Sequence, residues 1–164
     1  MSGYMPRPLA GQGLSTNDEY KSALAYARSW VRRSPGPDAW SNLAAVYATK
    51  EPPDLKRARS WYRRAALKGH DRGLLEYGLM LIQGEGGPKR PEQGRRYLER
   101  AAALGEVDAL RVLAYAFSKG GYGYQPSRAQ AKQVKQALRR ALARIVKQQA
   151  KQKHAADGAK TARG

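Results

Sequence analysis

Residues 58–69, Ala58-Arg59-Ser60-Trp61-Tyr62-Arg63-Arg64-Ala65-Ala66-Leu67-Lys68-Gly69, decide the fold of this 164-residue chain, because both halves of the stretch recur elsewhere in it. The first half echoes Ala27-Arg28-Ser29-Trp30-Val31-Arg32-Arg33, thirty-one residues earlier and identical at six of seven positions. The second half returns thirty-six residues later as Ala101-Ala102-Ala103-Leu104-Gly105, and Pro52 maps onto Pro88 at the same offset. A period of that length is one helical hairpin. A further pattern sets small and bulky residues at fixed spacing: Ala39, Leu43, Ala44, Tyr47; then Gly73, Tyr77, Gly78, Leu81; then Ala109, Leu113, Ala114, Phe117. That spacing lines one face of a helix. The small residues let two backbones approach while the bulky ones fill the adjacent gap. A single hairpin buries only part of such a face, and stacking hairpins buries the rest.

The periodicity predicts helices over 17–33, 38–49, 54–68, 71–83, 91–104, 107–119 and 126–150, about three and a half hairpins. Breakers separate them: Pro35-Gly36-Pro37, Pro52-Pro53, Gly69, the run from Gly84 to Pro88, Gly105, and the run from Gly120 to Gly123. No strand alternation competes. The resulting plan is an N-terminal arm over 1–16, a helical repeat body over 17–125, a basic amphipathic capping helix over 126–150 and a disordered basic tail over 151–164. Trp61, inside the repeated segment, is expected in the core, where truncation to Ala would cost about 3–5 kcal/mol.

Composition narrows the function. Thirty-one Lys and Arg against thirteen Asp and Glu give a net charge of +18. Residues 126–164 hold eleven of the bases and one acid, so more than half of the excess lies there. Such a field favours anionic partners. With no cysteine there is no disulfide, thiolate metal site or thiol nucleophile. The first twenty residues contain no secretory apolar run, and eighteen consecutive apolar residues occur nowhere, so the chain is expected to be soluble and cytoplasmic. The two histidines, His70 and His154, are too far apart in sequence to make an i, i+4 metal pair. The loop Gly84-Glu85-Gly86-Gly87-Pro88-Lys89-Arg90 lacks the Gly-Lys-Ser/Thr ending of a phosphate-binding loop, and Pro88 removes an amide donor. It is taken as an inter-repeat turn. Glu92, Glu99 and Glu106 are read as surface ion-pair partners. No catalytic residue, metal or cofactor is assigned, and the chain is read as a non-enzyme.

The run Trp61-Tyr62-Arg63-Arg64-Ala65-Ala66, with Gly69, Gly73, Tyr77, Gly78, Leu81, Gly84 and Gly86, resembles the Sel-like repeat family, a relative of the tetratricopeptide repeat. Residues 101–120 repeat the pattern, and Pro37-Asp38-Ala39-Trp40-Ser41-Asn42-Leu43-Ala44-Ala45-Val46-Tyr47 is closer to a tetratricopeptide unit. Gly94 and Pro91 depart from it. The resemblance, over residues 20–135, implies an all-α fold: an α/α solenoid of three to three and a half Sel-like or tetratricopeptide-like hairpins with a basic C-terminal capping helix. It also implies that the first helix of each unit lines a concave groove that holds another protein. Asn42, Glu76 and Val112 then share one concave position, Ser41, Leu75 and Arg111 lie beside them, and Ala45, Leu79 and Tyr115 lie one turn on. The protein-binding groove is accordingly assigned to Asn42, Leu75, Glu76, Leu79, Arg111 and Tyr115. An amide at Asn42 offers a donor and an acceptor to a peptide backbone.

In the last predicted helix Ala131, Val134, Leu138, Ala141, Leu142 and Ile145 form an apolar stripe suited to capping the open end of a stack. Arg128, Lys132, Lys135, Arg139, Arg140, Arg144 and Lys147 occupy the remainder, with no acid between them. These are candidate anion-binding or nucleic-acid-binding residues, and contact with them would be non-sequence-specific. The stripe has no Trp or Phe, which argues against membrane insertion. Two functions follow: an adaptor or scaffold holding a protein partner with an acidic or extended segment, such as a bacterial secretion adaptor or an immunity partner, or an accessory protein holding nucleic acid through the basic helix.

Overall fold

The computed structural model describes residues 17–161; the expected arm, residues 1–16, and residues 162–164 lie outside the described residues. Seven helices follow one another: α1 (Asn17–Arg33), α2 (Pro37–Ala48), α3 (Leu55–Leu67), α4 (Asp71–Gln83), α5 (Pro91–Ala103), α6 (Val107–Lys119) and α7 (Arg128–Thr161). The tightest pairs are α2 with α3, α4 with α5 and α6 with α7; α1 packs on α2, and α3–α4 and α5–α6 contacts join one hairpin to the next. This is the expected all-α repeat solenoid. Helices α2, α4 and α6 form one layer, in which α2 also touches α4, and α1, α3, α5 and α7 form the other.

The double alanine followed by glycine has a geometric cause. At the end of α3 the amide of Gly69 donates to the Ala66 carbonyl at 2.9 Å and that of His70 to the Ala65 carbonyl at 3.2 Å. At the end of α5, Gly105 donates to Ala102 at 2.9 Å and Glu106 to Ala101 at 3.1 Å. This paired closure satisfies the last carbonyls of a helix and needs a left-handed residue; Gly69 and Gly105 supply φ values of 76° and 87°. The next helix is capped at once. His70 Nδ1 accepts from the Gly73 amide at 3.0 Å, and the Glu106 carboxylate accepts from the Ala109 amide at 2.8 Å. His70 is therefore the N-cap of α4, and its Nε2 lies 3.1 Å from Asp38 Oδ1 on α2.

Each small-and-bulky stripe turns inward. Ala39, Leu43, Ala44, Tyr47, Gly73, Tyr77, Gly78, Leu81, Ala109, Leu113 and Ala114 are buried, and Phe117 is half-buried. The largest fully buried side chains are Leu74, Leu75, Leu81 and Leu98. Trp61 is only half-buried; it packs against the core while the Arg64 guanidinium sits 4.9 Å from its ring centre, so the core position expected for it belongs to its neighbour Tyr62.

Three features depart from the sequence expectation. Gly94, read as a break in the repeat pattern, is where α5 crosses α4: a Cβ there would stand 2.5 Å from the Gly78 carbonyl oxygen and 2.6 Å from Ile82 Cγ1. Pro91 occupies the first turn of α5, where its missing amide leaves no hydrogen bond unmade. The last helix continues to Thr161, so residues 151–161, expected as a disordered tail, are helical. From Arg128 to Asp157 the chain contains neither Gly nor Pro and is rich in Ala, Gln, Lys and Arg, all strong helix formers.

The α4–α5 crossing predicts a sharp asymmetry between glycines. Gly94→Ala should destabilise the chain by about 1–3 kcal/mol through overpacking, measured by urea unfolding. Gly36 has open space around it and an extended φ of −178°, so Gly36→Ser should leave the midpoint unchanged or raised.

Candidate functional site on the inner helix layer

The predicted groove residues lie on α2, α4 and α6, and the structure separates them by burial. Leu75 is 2% exposed and belongs to the core, so it is removed from the groove: its position one step from the surface register turns it toward α3 and α5. Ser41 is likewise buried, at 6%. Asn42 and Leu79 are half-buried, and Leu79 packs on the core edge. Arg111 is exposed, and Tyr115 is 60% exposed. Tyr115 is the large aromatic of this layer left open to solvent; its repeat equivalents on α2 and α4, Ala45 and Leu79, are half-buried, and the core-stripe tyrosines Tyr47 and Tyr77 are 4% and 6% exposed.

Glu76 and Arg111 are joined by two residues the sequence reading did not single out. Arg72 pairs with Glu76 one turn along α4 and reaches across to Asp108 Oδ2 on α6 at 3.2 Å; Arg111 closes the chain on Asp108 Oδ1 at 3.1 Å. Arg72 and Asp108 stand thirty-six residues apart, one repeat, with opposite charge at equivalent places. That inversion was the signal available. The four groups tie α4 to α6 as the Asp38–His70 contact ties α2 to α4.

Burial raises the Glu76 carboxyl above its ordinary value; Arg72 opposes this, while Glu106 and Asp108 add to it. Beneath it the buried Tyr62 phenol is also pushed up, first by burial and then by Glu76. This layer therefore offers a half-buried carboxylate held by one guanidinium and, one turn beyond Arg111 on α6, an exposed aromatic ring.

The second predicted group falls on α7. Arg128, Lys132, Lys135 and Arg139 line a cleft of about 620 Å³ between α7 and the last turn of α6, together with Ser118 and Phe117. Arg140, Arg144 and Lys147 do not line it and are exposed. Ala131 and Ala141 of the apolar stripe are buried, Val134 and Leu138 are half-buried, and Leu142 and Ile145 are 38% and 39% exposed. The stripe thus caps the stack through its first half only. Because α7 has 34 residues against 13 in α6, at a rise of about 1.5 Å per residue its second half runs past its neighbour.

The glycine-rich loop after α4 is structural. Arg59 donates to the Glu85 carbonyl at 2.9 Å and the Pro88 carbonyl at 2.7 Å. One repeat later, Arg95 donates to the Gly123 carbonyl at 3.1 Å. Among the described residues no group of His, Cys, Asp or Glu could hold a metal ion, and no helix is long and apolar enough to cross a membrane.

Residues 42–70 and 72–106 each match the family described as Sel1 repeat. The fold is similar to the crystal structure of a Sel1 repeat protein from Oxalobacter formigenes, with a TM-score of 0.64 and 20% identity over 73% of this chain and 48% of that one. It is also similar to a protective antigen of uropathogenic Escherichia coli displaying an SLR fold, with a TM-score of 0.57 and 20% identity over 76% of this chain and 31% of that one. The chain thus spans less than half the length of either solved structure.

The Glu76 environment yields a pH prediction. A carboxyl whose folded value is raised binds its proton more tightly in the folded chain, so its contribution to stability is greatest in acid and falls as pH rises through the raised value. The stability of the wild type minus that of Glu76→Gln, from urea unfolding across a pH series, should therefore fall as pH rises from about 4, near the ordinary glutamate range. A difference that grows with pH would refute it.

Proposed function

Because this chain is a Sel-like repeat protein over residues 42–106, we propose that it is a non-enzymatic adaptor whose inner layer grips an extended segment of another protein. Sel1 repeat proteins generally act as protein-interaction scaffolds. The observation that carries the reading to this surface is Tyr115, 60% exposed on α6 although the stack needs nothing from it. A ring of this kind beside a positioned charge network is the composition of a binding hot spot. Half-buried Asn42 supplies donor and acceptor for a peptide backbone.

Charge bears on the kind of segment. Helices α2, α4 and α6 carry three Lys and Arg against four Asp and Glu. An acidic segment gains nothing from such a layer, which favours an extended peptide with apolar and mixed polar side chains. Service as a secretion adaptor and service as an immunity partner neutralising an effector both draw on this grip.

Peptides selected on the full chain from a random display library provide the test. Tyr115→Ala should weaken the selected peptides at least about tenfold, the scale of a hot-spot truncation, while Lys135→Glu leaves them unchanged. Binders indifferent to Tyr115, or none at all, would overturn the assignment.

A further inference from the structure

The net charge is sorted by layer. Helices α1, α3, α5 and α7 carry twenty-two Lys and Arg and five Asp and Glu, against three and four on α2, α4 and α6. Almost the whole excess of +18 thus lies on the outer layer. Solubility alone asks for no such sorting. We propose that the outer layer, from α3 across α5 to α7, is a single surface for the phosphate backbone of nucleic acid, anchored in the cleft lined by Arg128, Lys132, Lys135 and Arg139.

Much of this charge is available. Helix α3 contains no acid, and Arg63 and Arg64 are exposed. On α5, Glu92 lies 3.9 Å from Arg95 and Glu99 accepts from the Tyr124 hydroxyl at 3.0 Å, leaving Arg96 and Arg100 exposed and outside the ion pairs. Cations then follow along α7 at nearly every turn from Arg128 to Lys153, a span of about 38 Å at 1.5 Å per residue.

Two features favour nucleic acid over an acidic protein. The row on α7 is long and unbroken by acid over that span, complementary to a polymer with charge at every residue rather than to a local acidic patch. Second, the repeat places guanidinium groups over aromatic rings: Arg64 lies 4.9 Å from the Trp61 ring centre, and one repeat later Arg100 lies 5.9 Å from that of Tyr97. Such half-exposed planar pairs suit stacking against bases as well as phosphate contact. The cleft adds the Ser118 and Ser127 side chains beside its four cations.

Fluorescence anisotropy of a labelled mixed-sequence RNA about 20 nucleotides long, above the span of one typical single-strand site, tests this with the full chain at about 50 and 200 mM salt. The wild type should bind and weaken steeply with salt. Arg63→Glu combined with Arg96→Glu and Arg100→Glu, which leaves α7 intact, should lower affinity at least about tenfold and flatten the salt slope by about 2 or more. Lys132→Glu with Arg139→Glu should do the same through the cleft. The corresponding Gln variants, with helicity and melting temperature checked by circular dichroism, keep the test valid should a charge reversal fail to fold, and their expected losses are smaller but in the same direction. Absence of RNA binding, or binding unchanged by the α3–α5 variant, would overturn the proposal. So would displacement of RNA by poly-glutamate at equal charge, or retention on phosphatidylserine vesicles with none on RNA. Inner-layer peptide affinity, read on the same variants, should not move.

Discussion

The array depends on how closely α4 and α5 approach each other. Gly78 faces the Gly94 carbonyl and the Leu98 amide, with 2.9 Å and 3.1 Å from a built Cβ, and Gly94 faces Gly78 and Ile82 in return. Two backbones in near contact fix the crossing of the central hairpin, and with it the position of Leu98 and Leu81, which are fully buried on either side. The same device recurs where Gly73 on α4 meets Ala65 and Ala66 on α3, with a built Cβ 2.7 Å from Ala65 Cβ and 2.9 Å from the Ala66 amide nitrogen. Small residues thus set the geometry, and Leu and Tyr fill the volume that the close approach leaves between the layers. In a protein whose stability is only a modest remainder of opposed terms, such contacts decide whether successive hairpins share one core.

Once that geometry holds, the two layers have different duties. Inner helices are lined on their buried side by the stripe and joined on their open side by Asp38–His70 and Arg72–Asp108. Each link crosses from one repeat to the next, so the inner surface is set by pairings between units and not by the units alone. A ligand on the proposed surface would meet groups already held in place, which lowers the ordering cost of binding.

Much of this was legible. The thirty-six-residue period, the inward stripe and the punctuation by Ala-Ala and Gly appear in the chain as regular spacing, and each has a local cause in helix closure or packing. What was hidden required knowledge of crossings. Leu75 sits beside the surface register in sequence yet points to the core, because the layer is covered on two sides by α3 and α5. Gly94 looked like an error in the pattern, since its partner Gly78 is sixteen residues away and only the fold brings them together. Arg72 and Asp108 are ordinary surface charges until the repeat stacks them. The extent of α7 was misjudged for a different reason: its second half lacks a partner, and intrinsic propensity alone carries the helix onward past residue 150.

Formal charge overstates what a ligand can use, and the structure shows by how much. Arg59 and Arg95, equivalent residues on α3 and α5, spend their guanidinium groups on loop carbonyls of the next unit. Gly123 lacks a side chain where Arg95 arrives, since a Cβ there would stand 2.3 Å from the Arg95 Nη1. These two arginines hold the connections between α4 and α5 and between α6 and α7 by satisfying carbonyls there, beside backbone bonds such as Arg90 N–H to the Leu81 carbonyl and Ser127 N–H to the Phe117 carbonyl. Arg96, one position beyond Arg95 on α5, and the Arg63–Arg64 pair, one turn beyond Arg59 on α3, are exposed and make no such bond to a loop carbonyl. Position within the turn therefore separates a structural arginine from one free to meet a ligand. The same basic composition builds the loops of this solenoid and leaves its outer surface charged.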